Sequence, residues 1–287
     1  MRVALYTVFA LVAFAFNSIL CRLALRGDEA DAASFTGVRL VSGAITLLVI
    51  SYLSKRKVSY FFTRSKTNAG KGNWPAAIYL FAYAICFSLA YLQLTAGTGA
   101  LILFGSVQLT MVAVSLVRGE RPRTLEWLGL GTALFGLVYL VLPGLASPPL
   151  NSSLLMAAAG AAWGLYTLRG RGSGDPLADT TGNFVRTLPF AAIAVIAFLP
   201  NLHLSNRGIM LAVLSGAVAS GIGYTVWYAA LKHHTAARAA VLQLAVPVLT
   251  GVIGVIFLTE AASQRLAIAA ALILGGIGLT ILGRKRS

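Results

Sequence analysis

Ten apolar runs, each near 20 residues long, follow one another along the chain with short polar breaks between them. They cover roughly residues 3–25, 33–54, 74–95, 98–117, 124–143, 152–168, 180–199, 208–231, 236–257 and 264–283. A hydrocarbon layer ~30 Å thick is crossed by about 20 helical residues, so each run predicts a membrane-spanning α-helix. The sixth is short and rich in Ala and Gly, which leaves its ends the least sharply marked. Spans eight and nine are parted only by Lys232-His233-His234-Thr235, a polar run sufficient for a turn. The pattern predicts an all-α integral membrane protein of ten transmembrane helices.

Composition agrees. Hydrophobic residues make up 58% of the chain and charged residues 11%, against about a quarter charged in soluble domains. The net charge of +15 is no sign of nucleic-acid binding, because the basic residues sit in short loops rather than on a patch with interleaved aromatics. Their distribution sets an orientation instead. The N-terminus, loops 55–73, 118–123, 169–179 and 232–238, and the tail Arg284-Lys285-Arg286 hold 17 Lys and Arg, and the opposite loops hold three, Arg26, Arg207 and Arg265. Positive charge stays on the cytoplasmic side, so both termini are expected there. Loop 55–73 reads as a basic topology determinant beside anionic lipid. The run Val3 to Leu20 is too long for a signal-peptide core and lacks a small-residue cleavage site. Cys21 and Cys86 lie inside apolar runs without disulfide or metal spacing, and no cofactor is expected.

The two halves echo each other. Phe16-Asn17 in span 1 is followed 23 residues later by Arg39, and Trp163-Gly164 in span 6 is followed 23 residues later by Arg186. Both pairs are offset by 147, while Arg118-Gly119-Glu120 and Leu258-Thr259-Glu260 are offset by 140, because loop 55–73 exceeds its counterpart 200–207. The repeat is therefore five helices, residues 1–146 and then 147–287. Five is odd, so the second repeat enters the membrane inverted, an arrangement found in secondary transporters. Arg39 near the outer end of span 2 and Arg186 near the inner end of span 7 fit that mirror relation.

At this point the chain resembles a known family. Tyr224-Thr-Val-Trp227-Tyr228-Ala-Ala-Leu231, then Ala236-Ala-Arg238-Ala-Ala-Val241-Leu-Gln-Leu-Ala-Val-Pro247-Val248, closing with Glu260, is similar to the second-repeat signature of the EamA-type branch of the drug/metabolite transporter superfamily. Ala162-Trp163-Gly164 and Phe35-x3-Arg39 are weaker matches, and the first half departs more, with no Trp-Gly pair and Val107 near the place of Pro247. Cys86-Phe-Ser-Leu-Ala-Tyr91 through Thr95-Ala-Gly-Thr-Gly-Ala-Leu101 resembles the family's bacterial aromatic amino-acid exporters. The resemblance implies an exporter in the bacterial inner membrane, working by alternating access on amino acids. Its partners would be substrate and lipid bilayer, and its state monomer or homodimer. A proton-coupled exporter of another metabolite or a cationic drug is the alternative.

A polar substrate leaving water needs replacement hydrogen bonds near the midplane. Candidates at that depth are Asn17, Tyr83, Gln108, Trp163, Tyr166, Tyr224, Trp227 and Gln243, each of which could instead pack or bond a neighbouring helix. Arg39 and Arg186 read either as gating or structural charges, or as cations that attract a substrate carboxylate. Arg22 is expected to snorkel outward beside Asp28, Glu29 and Asp31. Pro247 reads as a kink rather than a break in span 9. Gly129, Gly131 and Gly136, with Gly275, Gly276 and Gly278, read as close packing within the monomer or between subunits. All eight acidic residues fall in loops or at span ends, which points to facilitated rather than ion-coupled flux. An intramembrane protease would need carboxylates, or Ser with His, at membrane depth. His203, His233 and His234 lie in loops, and the chain is not expected to be an enzyme. A channel would show a repeated filter or pore ring, and none is present.

Overall fold

A computed structural model describes residues 2–54, 72–117, 124–142, 147–170, 173–231, 233, 242–243 and 245–283. The described residues are helical almost throughout. The helices are α1 (Arg2–Arg26), α2 (Ala32–Leu53), α3 (Trp74–Tyr91), α4 (Ala96–Val117), α5 (Thr124–Val141), α6 (Leu150–Gly170) and α7 (Pro176–Ala197). Then come α8 (Asn206–Val213), a π-helical stretch (Leu214–Ile222), α9 (Gly223–Leu231), α10 (Ala245–Leu258) and α11 (Gln264–Gly283). α8, the π stretch and α9 run on without a break. Among the described residues, seven segments are long and apolar enough to cross a membrane: Val3–Arg26, Ala32–Leu53, Trp74–Tyr91, Ala96–Val114, Thr124–Val141, Pro176–Ala197 and Asn206–Ala230. α10 and α11 hold shorter apolar segments, and α6 is in neither group.

Local chemistry starts these helices. Asp31 Oδ1 accepts from the amides of Ala33 and Ser34, both at 2.9 Å, capping α2. Asn73 caps α3 and Asp175 caps α7, each with a proline in the first turn, where its missing N–H costs nothing. Ser205 caps α8.

Packing brings distant segments together. α1 lies against α8, the π stretch, α9 and α10; α6 lies against α3 and α4; α2 packs on α7 and the π stretch; and α5 packs on α11. Small residues allow the closest approaches. A Cβ on Gly216 would collide with the Arg39 carbonyl and Ser42 Oγ, and one on Gly129 with the backbone of α11 at Gly276 and Thr280. The expected glycine packing therefore divides: Gly129, Gly136 and Gly276 are packed within the chain, whereas Gly131, Gly275 and Gly278 face open space. Large apolar side chains cover the outside, with Ile193 63% and Phe257 72% exposed. Lipid is the solvent that such a surface suits, and the protein is a multi-pass membrane protein.

Candidate functional site

At one end of the bundle, two clasps close the helices over the interior. Arg22 does not snorkel outward. It is 8% exposed, and its Nε pairs with Glu260 Oε1 at 3.2 Å while Nη1 donates to the carbonyls of Tyr91 (2.8 Å) and Leu92 (3.2 Å). Glu260 Oε2 in turn accepts from the Ala96 amide at 2.8 Å, and Arg26 donates to the Leu258 carbonyl at 2.9 Å. The reason for the inward turn is simple: a carboxylate and two helix-end carbonyls offer a buried guanidinium better partners than the acidic loop next to it. The second clasp joins the α1–α2 and α7–α8 connections. The Asp31 amide donates to the His203 carbonyl (2.8 Å), the His203 amide to Asp31 Oδ2 (2.9 Å), and the Ser205 amide to the Glu29 carbonyl (2.8 Å). Burial alone would raise the Asp31 carboxyl, but hydrogen bonds from Ser34, Ala33 and His203 outweigh it and hold the group below its ordinary range.

Between the two ends lies an aromatic chamber. Its wall is Phe14, Asn17 and Ser18 of α1, Tyr83 and Phe87 of α3, Leu103 and Phe104 of α4, Trp163 of α6, Tyr224 of α9, and Gln243. Trp163 stands at the hub, its ring 4.8 Å from Tyr83, 5.0 Å from Tyr224 and 5.4 Å from Tyr166 between centroids. Asn17 is held at both ends: Ser215 Oγ donates to its Oδ1 at 2.6 Å, and its Nδ2 donates to the Tyr83 hydroxyl at 3.2 Å. The chamber's free volume is 20 Å³, room for about one water.

The expected site residues separate accordingly. Asn17, Tyr83, Trp163, Tyr224 and Gln243 converge on the chamber. Tyr166 stands behind Trp163, and Trp227 stands behind Phe14, edge-on at 5.8 Å. Gln108, on α4, is not among the lining side chains. Arg39, about two turns into α2, reaches the chamber's back wall: Nη2 donates to the Tyr83 hydroxyl at 3.2 Å and Nε to Ser220 Oγ at 3.4 Å. Its counterpart Arg186 donates to the Gly182 carbonyl of its own helix at 2.9 Å. Pro247 is buried near the start of α10 as described.

The π stretch explains why two serines take part. Its wide turns, with Ser220 Oγ donating to the Ser215 carbonyl at 2.9 Å, aim Ser215 at Asn17 and Ser220 at Arg39. Inserted π turns recur at functional positions for this reason.

A second, polar cavity of 30 Å³ lies toward the opposite end, lined by residues that include Asn73, Tyr166, Arg169, Asp179, Asn183 and Tyr228. There the Gly72 amide donates to Asp179 Oδ1 (2.8 Å) and the Asn73 amide to Asn183 Oδ1 (2.9 Å), tying the start of α3 to α7. Tyr166 lines this cavity and touches Trp163, so the two spaces share a wall. No group of three or more metal-ligating side chains occurs among the described residues.

The sequence profile of the EamA-like transporter family matches residues 1–142 and again residues 150–282. The chain belongs to the EamA-like transporter family. An uncharacterized protein of Pseudomonas aeruginosa is 50% identical over 283 residues, covering 99% of this chain and 96% of that one. An uncharacterized transporter of Archaeoglobus fulgidus is 25% identical over 211 residues, 71% of this chain and 74% of its own. A solved crystal structure shares the fold with a TM-score of 0.67 at 20% identity, covering 99% of both chains. Membership in a transporter family and a chamber between two tied ends describe a membrane transporter.

Proposed function

We propose that this protein is a facilitative exporter of neutral amino acids, aromatic ones included, working by alternating access in the bacterial inner membrane. The observation that carries the reading is the chamber: aromatic rings of Tyr83, Trp163 and Tyr224 face the hydrogen-bonding groups of Asn17 and Gln243. Rings suit an apolar side chain or an ammonium group, and amides suit the polar backbone of an amino acid. Among the described residues the lining contains no Asp or Glu, and the acidic residues that are described, Asp28, Glu29, Asp31, Glu126, Asp175, Asp179 and Glu260, belong to loops or helix ends. A bound proton or sodium ion ordinarily needs such a carboxylate at depth, so substrate gradient alone drives the flux.

Alternating access is commonly built on two related halves, and the packing supports an inverted five-helix repeat. Pair α1 with α6, α2 with α7, α3 with the α8–α9 segment, α4 with α10, and α5 with α11. The contacts of α6 with α3 and α4 then become those of α1 with α8–α9 and α10, and α2–α7, α4–α10 and α5–α11 map onto themselves. The family profile's two matches divide the chain at the same place. In this reading ten helices span the membrane, both termini are cytoplasmic, and the Arg22–Glu260 clasp is the outer gate.

The test is counterflow in proteoliposomes with equal pH and sodium on both faces, repeated with a step in each. Uptake that follows the amino-acid gradient alone supports the proposal. Flux that appears only with a pH or sodium step overturns the facilitative mechanism and favours a proton-coupled exporter.

A further inference from the structure

We propose that Arg39 is the anion anchor of the transport chamber, and that transported substrates carry a carboxylate which this guanidinium recognises. The inference rests on the transport role of the chamber and names the chemical group its substrates must share. Three observations carry it. Arg39 is 2% exposed and among the largest fully buried side chains of the protein. Its contacts among the described residues are neutral: the hydroxyls of Tyr83 and Ser220, and the rings of Tyr83 and Phe87 at 5.3 and 5.2 Å from Cζ. Its Nη1 has no hydrogen-bond partner among the described residues.

A buried cation inside a membrane protein is expensive, and it is ordinarily paired. Arg22 shows what pairing looks like in this chain, with one carboxylate and two carbonyls on its donors. Arg39 has only hydroxyls at 3.2 and 3.4 Å and one idle nitrogen. Arginine's planar fork suits a carboxylate, and a guanidinium that keeps one arm free is prepared for such a partner. Tyr83 and Phe87 form both the chamber wall and the rings around Arg39. A shift of either ring therefore opens the chamber directly onto the charge. The present volume of 20 Å³ excludes any amino acid, so the anchor engages substrate in a wider state. The body of the substrate then lies against Trp163 and Tyr224.

The competing role is structural, with Arg39 merely joining α2, α3 and the π stretch. The two roles differ in what replacement does. A structural tie loses stability when removed, whereas an unpaired buried charge loses none. The experiment uses purified wild type and Arg39→Gln, reading melting temperature and tryptophan fluorescence with phenylalanine, 3-phenylpropanoate (carboxylate without amine) and phenethylamine (amine without carboxylate). Wild type should bind the first two and not the third. Arg39→Gln should weaken both carboxylates by about 10- to 100-fold, with a ligand-free melting temperature no lower than wild type. Arg39→Lys, which keeps the charge but not the fork, should fall between. Should Arg39→Gln fail to fold, that result itself assigns the structural role. Phenethylamine binding as well as phenylalanine, or carboxylate affinity indifferent to Arg39→Gln, overturns the anchor while leaving amino-acid transport standing. Binding of 3-phenylpropanoate without phenylalanine keeps the anchor and removes the amino-acid reading.

Discussion

Consider Glu260→Gln. The carboxylate it neutralises holds Arg22 Nε at 3.2 Å, with side chains only 10% and 6% exposed for the two partners. Removing one member of a buried pair costs about 3–5 kcal/mol. Gln can still accept from the Ala96 amide, and Arg22 keeps the Tyr91 and Leu92 carbonyls, so the low end, about 3 kcal/mol, applies. The loss falls only on conformations in which the clasp is closed. At ~1.36 kcal/mol per decade, the closed-to-open ratio shifts by about 150-fold. A cysteine at Ser18, which lines the chamber, reads that ratio directly when Cys21 and Cys86 are replaced by Ala. Labelling by a membrane-impermeant maleimide added from outside should accelerate on the order of 100-fold in Glu260→Gln, so long as the open state remains the minor one. An unchanged labelling rate with a lowered melting temperature would refute the reasoning: the pair would then be a fixed structural tie.

Other outcomes are expected. Trp163→Ala removes ring contacts to Tyr83, Tyr166 and Tyr224, each worth about 0.5–1.5 kcal/mol. Counterflow should be abolished while the protein still purifies as a folded species; retained flux would make Trp163 a packing residue. Gly216→Ala places a methyl group on the Arg39 carbonyl and Ser42, and overpacking of this kind costs about 1–3 kcal/mol. Its melting temperature should drop, and an unchanged value would contradict the close approach of α2 and the π stretch. The Asp31 carboxyl is held below its ordinary range, so the stability it contributes is present above the unfolded value and lost as pH falls through the folded one. Melting temperatures should decline below about pH 4 in wild type and more shallowly in Asp31→Asn; parallel curves would show that Asp31 contributes nothing. Reporter fusions placing Ser287 outside the cell would reverse the proposed orientation.

Depth in the membrane could be read from the sequence, and it was enough to select Asn17, Tyr83, Trp163, Tyr224 and Gln243, all of which line the chamber. Exact depth and direction around a helix could not. Gln108 sits about one turn beyond Phe104 of the chamber wall, on much the same face of α4, and Trp227 lies one ring too far back. Long side chains were the hardest. Arg22 was expected among the acids a few residues away, yet its partner is 238 residues distant, a separation about which local charge patterning says nothing. Ser18, Ser215 and Ser220 stand out by nothing in the sequence, because a serine in a span bonds its own helix as readily as anything else. The π stretch Leu214–Ile222 has no signature in its apolar, small-residue composition; in the fold the backbone of α2 lies directly against its Gly216.

That 238-residue separation also bears on how the protein is made. α1 enters the membrane carrying Arg22 long before Glu260 has been synthesised. At about 5–20 residues per second, the arginine waits on the order of 10–50 s for its carboxylate. During that interval α1 carries a guanidinium without its ion-pair partner. Its final seating comes only when nearly the entire chain has emerged, so the first helix made is among the last to be locked. A chain that ends before residue 260 leaves Arg22 with the Tyr91 and Leu92 carbonyls and without its carboxylate.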